Sequence, residues 1–241
     1  MSKEYSAPEL LSALQGYLEE LQETGVEGLP LDLSGSLGGP ANGVAEPAAS
    51  YAPSATSESL DEISSSLGDC QRCALGATRT NLVFGVGNPR ARVVFVGEAP
   101  GKDEDLKGEP FVGEAGQLLT KIIEAMGFKR EEVYICNVLK CRPPKNRDPL
   151  PAEVEECGPF MLRQVKAIAP VAIVALGKFA AQTLLQSKTP ISKLRGTFHD
   201  YHGIPLMPTY HPAALLRDNS LKRDVWSDMQ QVMALLAKQA G

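Results

Sequence analysis

The sequence predicts an α/β fold, a largely parallel sheet covered by helices on both faces, and three observations carry the prediction. Four apolar, β-branched runs occupy 93–96, 133–138, 171–176 and 204–207, short and apolar enough to be strands buried on both sides. Helical periodicity fills 115–126, 151–168 and 178–187 between them, and a last helix is expected over 222–238. Strands alternating with helices imply parallel crossovers. In such a sheet ligands bind beyond the carboxyl ends of the strands, so the residues following each run are the first candidates for a site.

Ahead of this region the chain changes character. Residues 8–24 set Leu10, Leu11, Leu14, Leu18 and Leu21 at helical spacing among acidic residues, which predicts an amphipathic helix within 1–24. It reads as a solvated or loosely docked element, with a hook for a repair or replication protein as the sharper alternative. From 25 to 66 Gly, Pro, Ala and Ser dominate. Large apolar side chains are too few there to offset the entropy of ordering, so a flexible low-complexity linker is expected, and a folded domain over 67–241.

Charge divides at the same place. Residues 1–69 hold one Lys against 12 Asp or Glu, a net −11, whereas 70–241 carry +6. A basic folded part is compatible with phosphate as a partner, although many metabolic enzymes share such a balance. No run approaches the roughly 18 apolar residues of a membrane span, and the start MSKEYSAPELL lacks the features of a signal peptide. A cytoplasmic monomer is the expectation. Five cysteines, an odd number without an export signal, point to thiolate metal ligands or free thiols rather than disulfides.

The first run leads into GEAPGKDEDLKGEPFVGEAGQLL, 97–119. Gly97 and Gly101 permit a tight turn beside a ligand, but neither nucleotide-binding glycine motif is present. Glu98, Asp103, Glu104 and Asp105 form either a solvated acidic turn or part of a site at a strand end. The second run ends in Asn137, followed by KCRPPKNRDPLP, a Pro-stiffened basic loop. An Asn amide caps turns, and it also matches a base edge in bidentate fashion. The fourth run leads to TYHPAALLR, 209–217, with one of only three histidines. Glu98, Asn137 and His211 therefore follow three separate strands whose ends share a rim, the pattern of an active site. Cys70 and Cys73 form C-x2-C, and Cys141 and Cys157 have fifteen residues between them. Four thiolates suit either zinc or an iron–sulfur cluster. Cys136 lies inside a strand and reads as a core residue.

Taken together these motifs resemble the family 4 uracil-DNA glycosylases, in order and spacing, from Cys70 to about Leu236. The resemblance implies a three-layer αβα domain with a central four-stranded parallel sheet, plus a mostly disordered N-terminal extension. It implies base excision repair of uracil in single- or double-stranded DNA, with hydrolysis of the N-glycosidic bond after the base is flipped out. Cys70, Cys73, Cys141 and Cys157 match the ligands of a structural [4Fe-4S] cluster, zinc being the alternative. Phe111 resembles the ring that stacks on uracil, Asn137 the reader of its O4 and N3–H edge, His211 the donor to O2, and Glu98 the carboxylate facing the sugar. Better-known superfamily members carry Asp at the position of Ala99 and a thymine-blocking Tyr at that of Gly101. Water activation and methyl exclusion must then come from elsewhere, and Glu104 is the candidate for the second. Lys140, Arg142, Lys145, Arg147 and Arg217 are candidate DNA contacts. Leu215 or Leu216 would fill the gap left by the flipped base. The competing readings are a protein that traps uracil-containing DNA without turnover and an iron–sulfur electron carrier. KCRPPKNRDPLP has neither the His nor the insertion of the trapping relatives, and an electron carrier leaves Glu98, Asn137 and His211 without a role.

Overall fold

The computed structural model describes residues 58–239; the helix expected within 1–24, and the expected linker as far as residue 57, lie outside the described residues. Six strands form one sheet: β1 (Val86–Gly87), β2 (Val93–Gly97), β3 (Tyr134–Asn137), β4 (Ala172–Leu176), β5 (His199–Tyr201) and β6 (Ile204–Thr209), in the order β1-β3-β2-β4-β6-β5. The inner strands β3, β2, β4 and β6 are all parallel, with Gly97 beside Asn137, Val96 beside Ala175 and Leu176 beside Thr209. They are the four strands that the apolar runs predict. β1 and β5 add antiparallel edges, and at two and three residues they are too short to show a periodicity in sequence.

The helices are α1 (Leu60–Leu67), α2 (Lys102–Lys107), α3 (Glu114–Ala125), α4 (Pro151–Ile168), α5 (Gly177–Leu184), α6 (Ile191–Leu194), α7 (Pro212–Arg217) and α8 (Lys222–Lys238). Side chains alternate across a strand, and β2 shows why its run is continuously apolar. Val94 and Val96 pack on one face with Met161 and Val165 of α4 and Ala180 and Leu184 of α5. Val93 and Phe95 pack on the other with Leu119 and Ile123 of α3 and Val225, Met229 and Val232 of α8. Each such side chain contributes about 1.5–3 kcal/mol on full burial, and two covered faces make the three-layer αβα sandwich.

One boundary is corrected. The expected linker runs to residue 66, but helix α1 begins at Leu60. Ser59 and Glu62 form a capping box, the Glu62 N–H donating to Ser59 Oγ at 3.2 Å and the Ser59 N–H to Glu62 Oε2 at 2.7 Å. Ile63 and Leu67 are buried against Phe160 of α4, and Glu58 pairs with Arg163. Three apolar residues at helical spacing outweighed the Ser-rich composition that suggested a tether. Among the described residues no helix is long and apolar enough to cross a membrane.

Candidate active site

Parallel register brings the ends of β2, β3 and β6 to one rim, and there a cleft of ≈ 570 Å³ opens, lined by residues that include Glu98, Ala99, Glu104, Phe111, Asn137, Asp148, His211 and Arg217. The backbone around it is tightly held. The Val138 and Leu139 N–H groups donate to the carbonyls of Gly97 and Glu98, each at 3.0 Å, fixing the β2 and β3 termini together. A Cβ on Gly97 would collide with Asn137 Oδ1 and sit 2.6 Å from Phe111 Cζ. Glycine is what lets both side chains lie against the strand end.

Asn137 is 2% exposed, and its Oδ1 is buried without a hydrogen-bond partner in the protein. A desolvated, unpaired acceptor costs about 1–3 kcal/mol, so an amide oxygen held this way against the cleft is an acceptor prepared for a ligand's N–H. Across the cleft Phe111 and His211 stack, ring centroids 5.5 Å apart and planes 30° from parallel. Phe111 adopts φ +54°, a conformation disfavoured for an aromatic residue. Glu104 stabilises this turn: its Oε1 accepts from the Val112 and Gly113 N–H groups at 2.9 and 3.1 Å, and its Oε2 from the Gly101 N–H at 3.1 Å. Expected as a screen against a methyl group, Glu104 lines the cleft with both carboxylate oxygens engaged in bracing the loop.

His211 caps the N-terminus of α7, its Nδ1 accepting from the Ala213 N–H at 3.1 Å. With Nδ1 an acceptor, the neutral ring carries its proton on Nε2. Burial, assisted by Arg217 and opposed by Glu104, lowers its pKa to about 4, so the ring is an uncharged donor near neutrality. Gly177, which sequence reasoning passed over, sits behind it: φ is +92°, and a Cβ there would meet His211 Cβ at 2.9 Å. Glu98 is held above the usual carboxylate range by burial and then by Asp148, with Lys178 opposing. Asp148 was missed because the loop that holds it reads as basic.

The other expected residues divide. Arg147 lines the cleft, its guanidinium paired to Glu153 at 2.6 and 2.9 Å. Arg142 donates to Asn146 at 2.7 Å, and Lys145 and Arg217 are exposed. Lys140 is corrected: it is 0% exposed and is no DNA contact. Its Nζ donates to Asn137 O at 2.7 Å and Gln164 Oε1 at 2.6 Å. Of the paired leucines, Leu215 is corrected to a core residue at 2% exposure, whereas Leu216 is 48% exposed. Cys136 is fully buried in the core.

Cys70, Cys73, Cys141 and Cys157 line one recess, together with Leu67, Leu82 and Phe160. Three of the sulfurs accept N–H bonds, Cys70 from Arg72 at 3.2 Å, Cys141 from Arg79 at 3.5 Å and Cys157 from the Lys140 backbone at 3.2 Å. At Cys141 and Cys157 these donors oppose the burial that raises both thiols. Burial otherwise pushes the Cys141 thiol up to about 11, against the pull of Arg79. Among the described residues no three His, Cys, Asp or Glu side chains close on one point as ligands of a single ion.

A family model described as the Uracil DNA glycosylase superfamily matches residues 84–230. Type-4 uracil-DNA glycosylase of Archaeoglobus fulgidus is 49% identical over 75% of this chain and 95% of its own length. The protein of that name from Thermotoga maritima is 47% identical over 76% of this chain and 97% of its own. That of Saccharolobus solfataricus is 41% identical over 75% and 88%. The family model spans the residues that line the cleft, and the chain belongs to the uracil DNA glycosylase superfamily, within its type-4 branch.

Proposed function

We propose that this chain excises uracil from DNA as a monofunctional glycosylase, leaving an abasic site, with the cleft at the ends of β2, β3 and β6 as its base pocket. The observation that carries the reading is the unpartnered Oδ1 of buried Asn137 at the cleft. It suits the N3–H of uracil, with the amide Nδ2 donating to O4. Cytosine presents an acceptor at N3 and a donor at position 4, and a fixed amide leaves both mispaired. Phe111 stacks on the flipped base. His211 donates from Nε2 to O2 as charge accumulates on the departing base, and the Ala213 N–H bond to Nδ1 keeps the neutral ring's proton on Nε2 for that purpose. Glu98 faces the sugar, where its carboxylate stabilises an oxocarbenium-like centre and orients water. Ala99 contributes space rather than chemistry, and Glu104 keeps Phe111 in place.

Flipping costs a few kcal/mol. Exposed Leu216 is the residue to fill the vacated stack, and Arg142, Lys145, Arg147 and Arg217 offer phosphate contacts around the cleft. Cys70, Cys73, Cys141 and Cys157 would hold a [4Fe-4S] cluster, with zinc the alternative: the four line one recess, and N–H bonds to three of the sulfurs suit sulfur ligands of such a cluster. When bound, the cluster supplies cross-linking of the 140–157 segment to the start of the domain and no step of the hydrolysis.

The test is incubation with end-labelled DNA bearing one uracil, then alkali. Alkali-dependent cleavage at uracil, lost in folded Glu98→Ala and His211→Ala variants, is expected. Tight uracil-specific binding without cleavage would replace the enzyme by a trapping protein.

A further inference from the structure

Lys140 is a long cationic side chain with no exposed surface, three residues after the base-reading candidate and one before a cysteine of the cluster site. Full burial of a lysine is unfavourable unless its donors are satisfied, and the partners here are specific. The Nζ folds back to the carbonyl of Asn137 at 2.7 Å and reaches Gln164 Oε1 at 2.6 Å. Gln164 is held in turn, its Nε2 donating to Phe84 O at 3.0 Å and Tyr134 Oη at 3.1 Å, so the acceptor that locates Nζ is immobilised by β3 and the segment before β1. From the same residue the backbone N–H donates to Cys157 Sγ at 3.2 Å. One residue thus ties the peptide of Asn137 to α4 on one side and to the cysteine recess on the other.

We propose that Lys140 is the positioning residue of the base pocket: it clamps the Asn137 carbonyl, so that the Asn137 amide meets the uracil edge in a single orientation, and it transmits the rigidity of the cysteine site to that amide. Asn137 has no other side-chain hydrogen bond to fix its oxygen, and its backbone is therefore where orientation is set. Lys140 touches no substrate and acts only through Asn137. The inference rests on the uracil-excision reading above.

The experiment is a double-mutant cycle on the full chain with its metal bound, Lys140→Met alone, Asn137→Ala alone and both together, read as kcat/KM on single-uracil DNA. Alongside, calorimetry measures affinity for free uracil and for uracil-free DNA, and iron is assayed in each preparation. Losing the buried hydrogen bond that holds the Asn137 carbonyl should weaken uracil binding and kcat/KM about ten- to a hundredfold in Lys140→Met. Affinity for uracil-free DNA should stay within about twofold. In the Asn137→Ala background Lys140→Met should change kcat/KM by less than about twofold, because the residue it positions is gone. Equal losses in both backgrounds, or none in either, overturn the proposal, as does equal weakening of uracil and uracil-free DNA. Should Lys140→Met fail to fold, Gln164→Leu removes the anchor of Nζ and enters the same cycle with the same expectations. Wild-type protein that neither binds nor excises uracil overturns the functional reading itself, a result distinct from wild-type activity with an indifferent Lys140.

Discussion

Asn137→Asp probes base reading at the atom where the structure is most committed. The native amide presents an unpartnered, desolvated acceptor and an N–H donor. The carboxylate keeps the acceptor for N3–H but sets an oxygen against O4. Loss of one buried hydrogen bond costs about 1–3 kcal/mol, so kcat/KM on uracil should fall about ten- to a hundredfold. Cytosine moves the other way, because its 4-amino group gains an acceptor where it previously faced a donor, an improvement of similar size. Multiplied together, the two changes predict a uracil-to-cytosine ratio of kcat/KM lower by about two to four orders of magnitude. The assay is single-turnover cleavage of matched oligonucleotides differing in that one base, with thermal melting to show that the variant folds. Full uracil activity with unchanged selectivity would remove Asn137 from base reading.

The acid limb of kcat/KM should track ionisation of Glu98, which burial and Asp148 hold above the usual carboxylate range; Asp148→Asn removes the like charge and should move that limb to lower pH, and an unmoved limb would detach Glu98 from it. His211, lowered from 6.5 to about 4, binds its proton more readily in the unfolded chain, so folding stability should decline as pH falls from about 6.5 toward about 4; denaturant titrations should show a shallower decline in His211→Gln. Gly177→Ala forces a side chain into φ +92° with its Cβ 2.9 Å from that of His211, and should cost at least about 1 kcal/mol of stability and about tenfold or more in kcat, with KM for DNA little changed. Leu215→Ala should destabilise by about 2–5 kcal/mol, whereas Leu216→Ala should leave the melting temperature unchanged and reduce excision from duplex more than from single strands.

How far the residues speak for themselves is clearest at the strand ends. The runs beginning at Val93, Val133, Val171 and Ile204 announce four strands because burial on both faces removes polar positions from the pattern, and parallel crossovers then require their ends to share a rim. That reasoning gathers Glu98, Asn137 and His211 before any coordinate is known. Local rules also contained signals left unused: the Ser59–Glu62 capping box marks α1, and a glycine directly after β4 marks a close approach, filled by His211.

What the tertiary structure decided concerns groups whose surroundings come from distant parts of the chain. Lys140 sits in a basic loop and reads as a DNA contact, yet Gln164, 24 residues away, and the Asn137 carbonyl take its ammonium inside. Leu215 and Leu216 are chemically the same, and only the packing of α7 against α3 separates a core residue from an exposed one. Glu104 resembles any acidic turn residue until the Phe111 loop folds back to donate two N–H groups to it. Periodicity in sequence encodes which faces of a strand or helix are apolar, because that depends on neighbours along the chain. Whether a charge is paired, a hydroxyl or amide left open, or a leucine covered depends on neighbours across space, and only the packed fold supplies them.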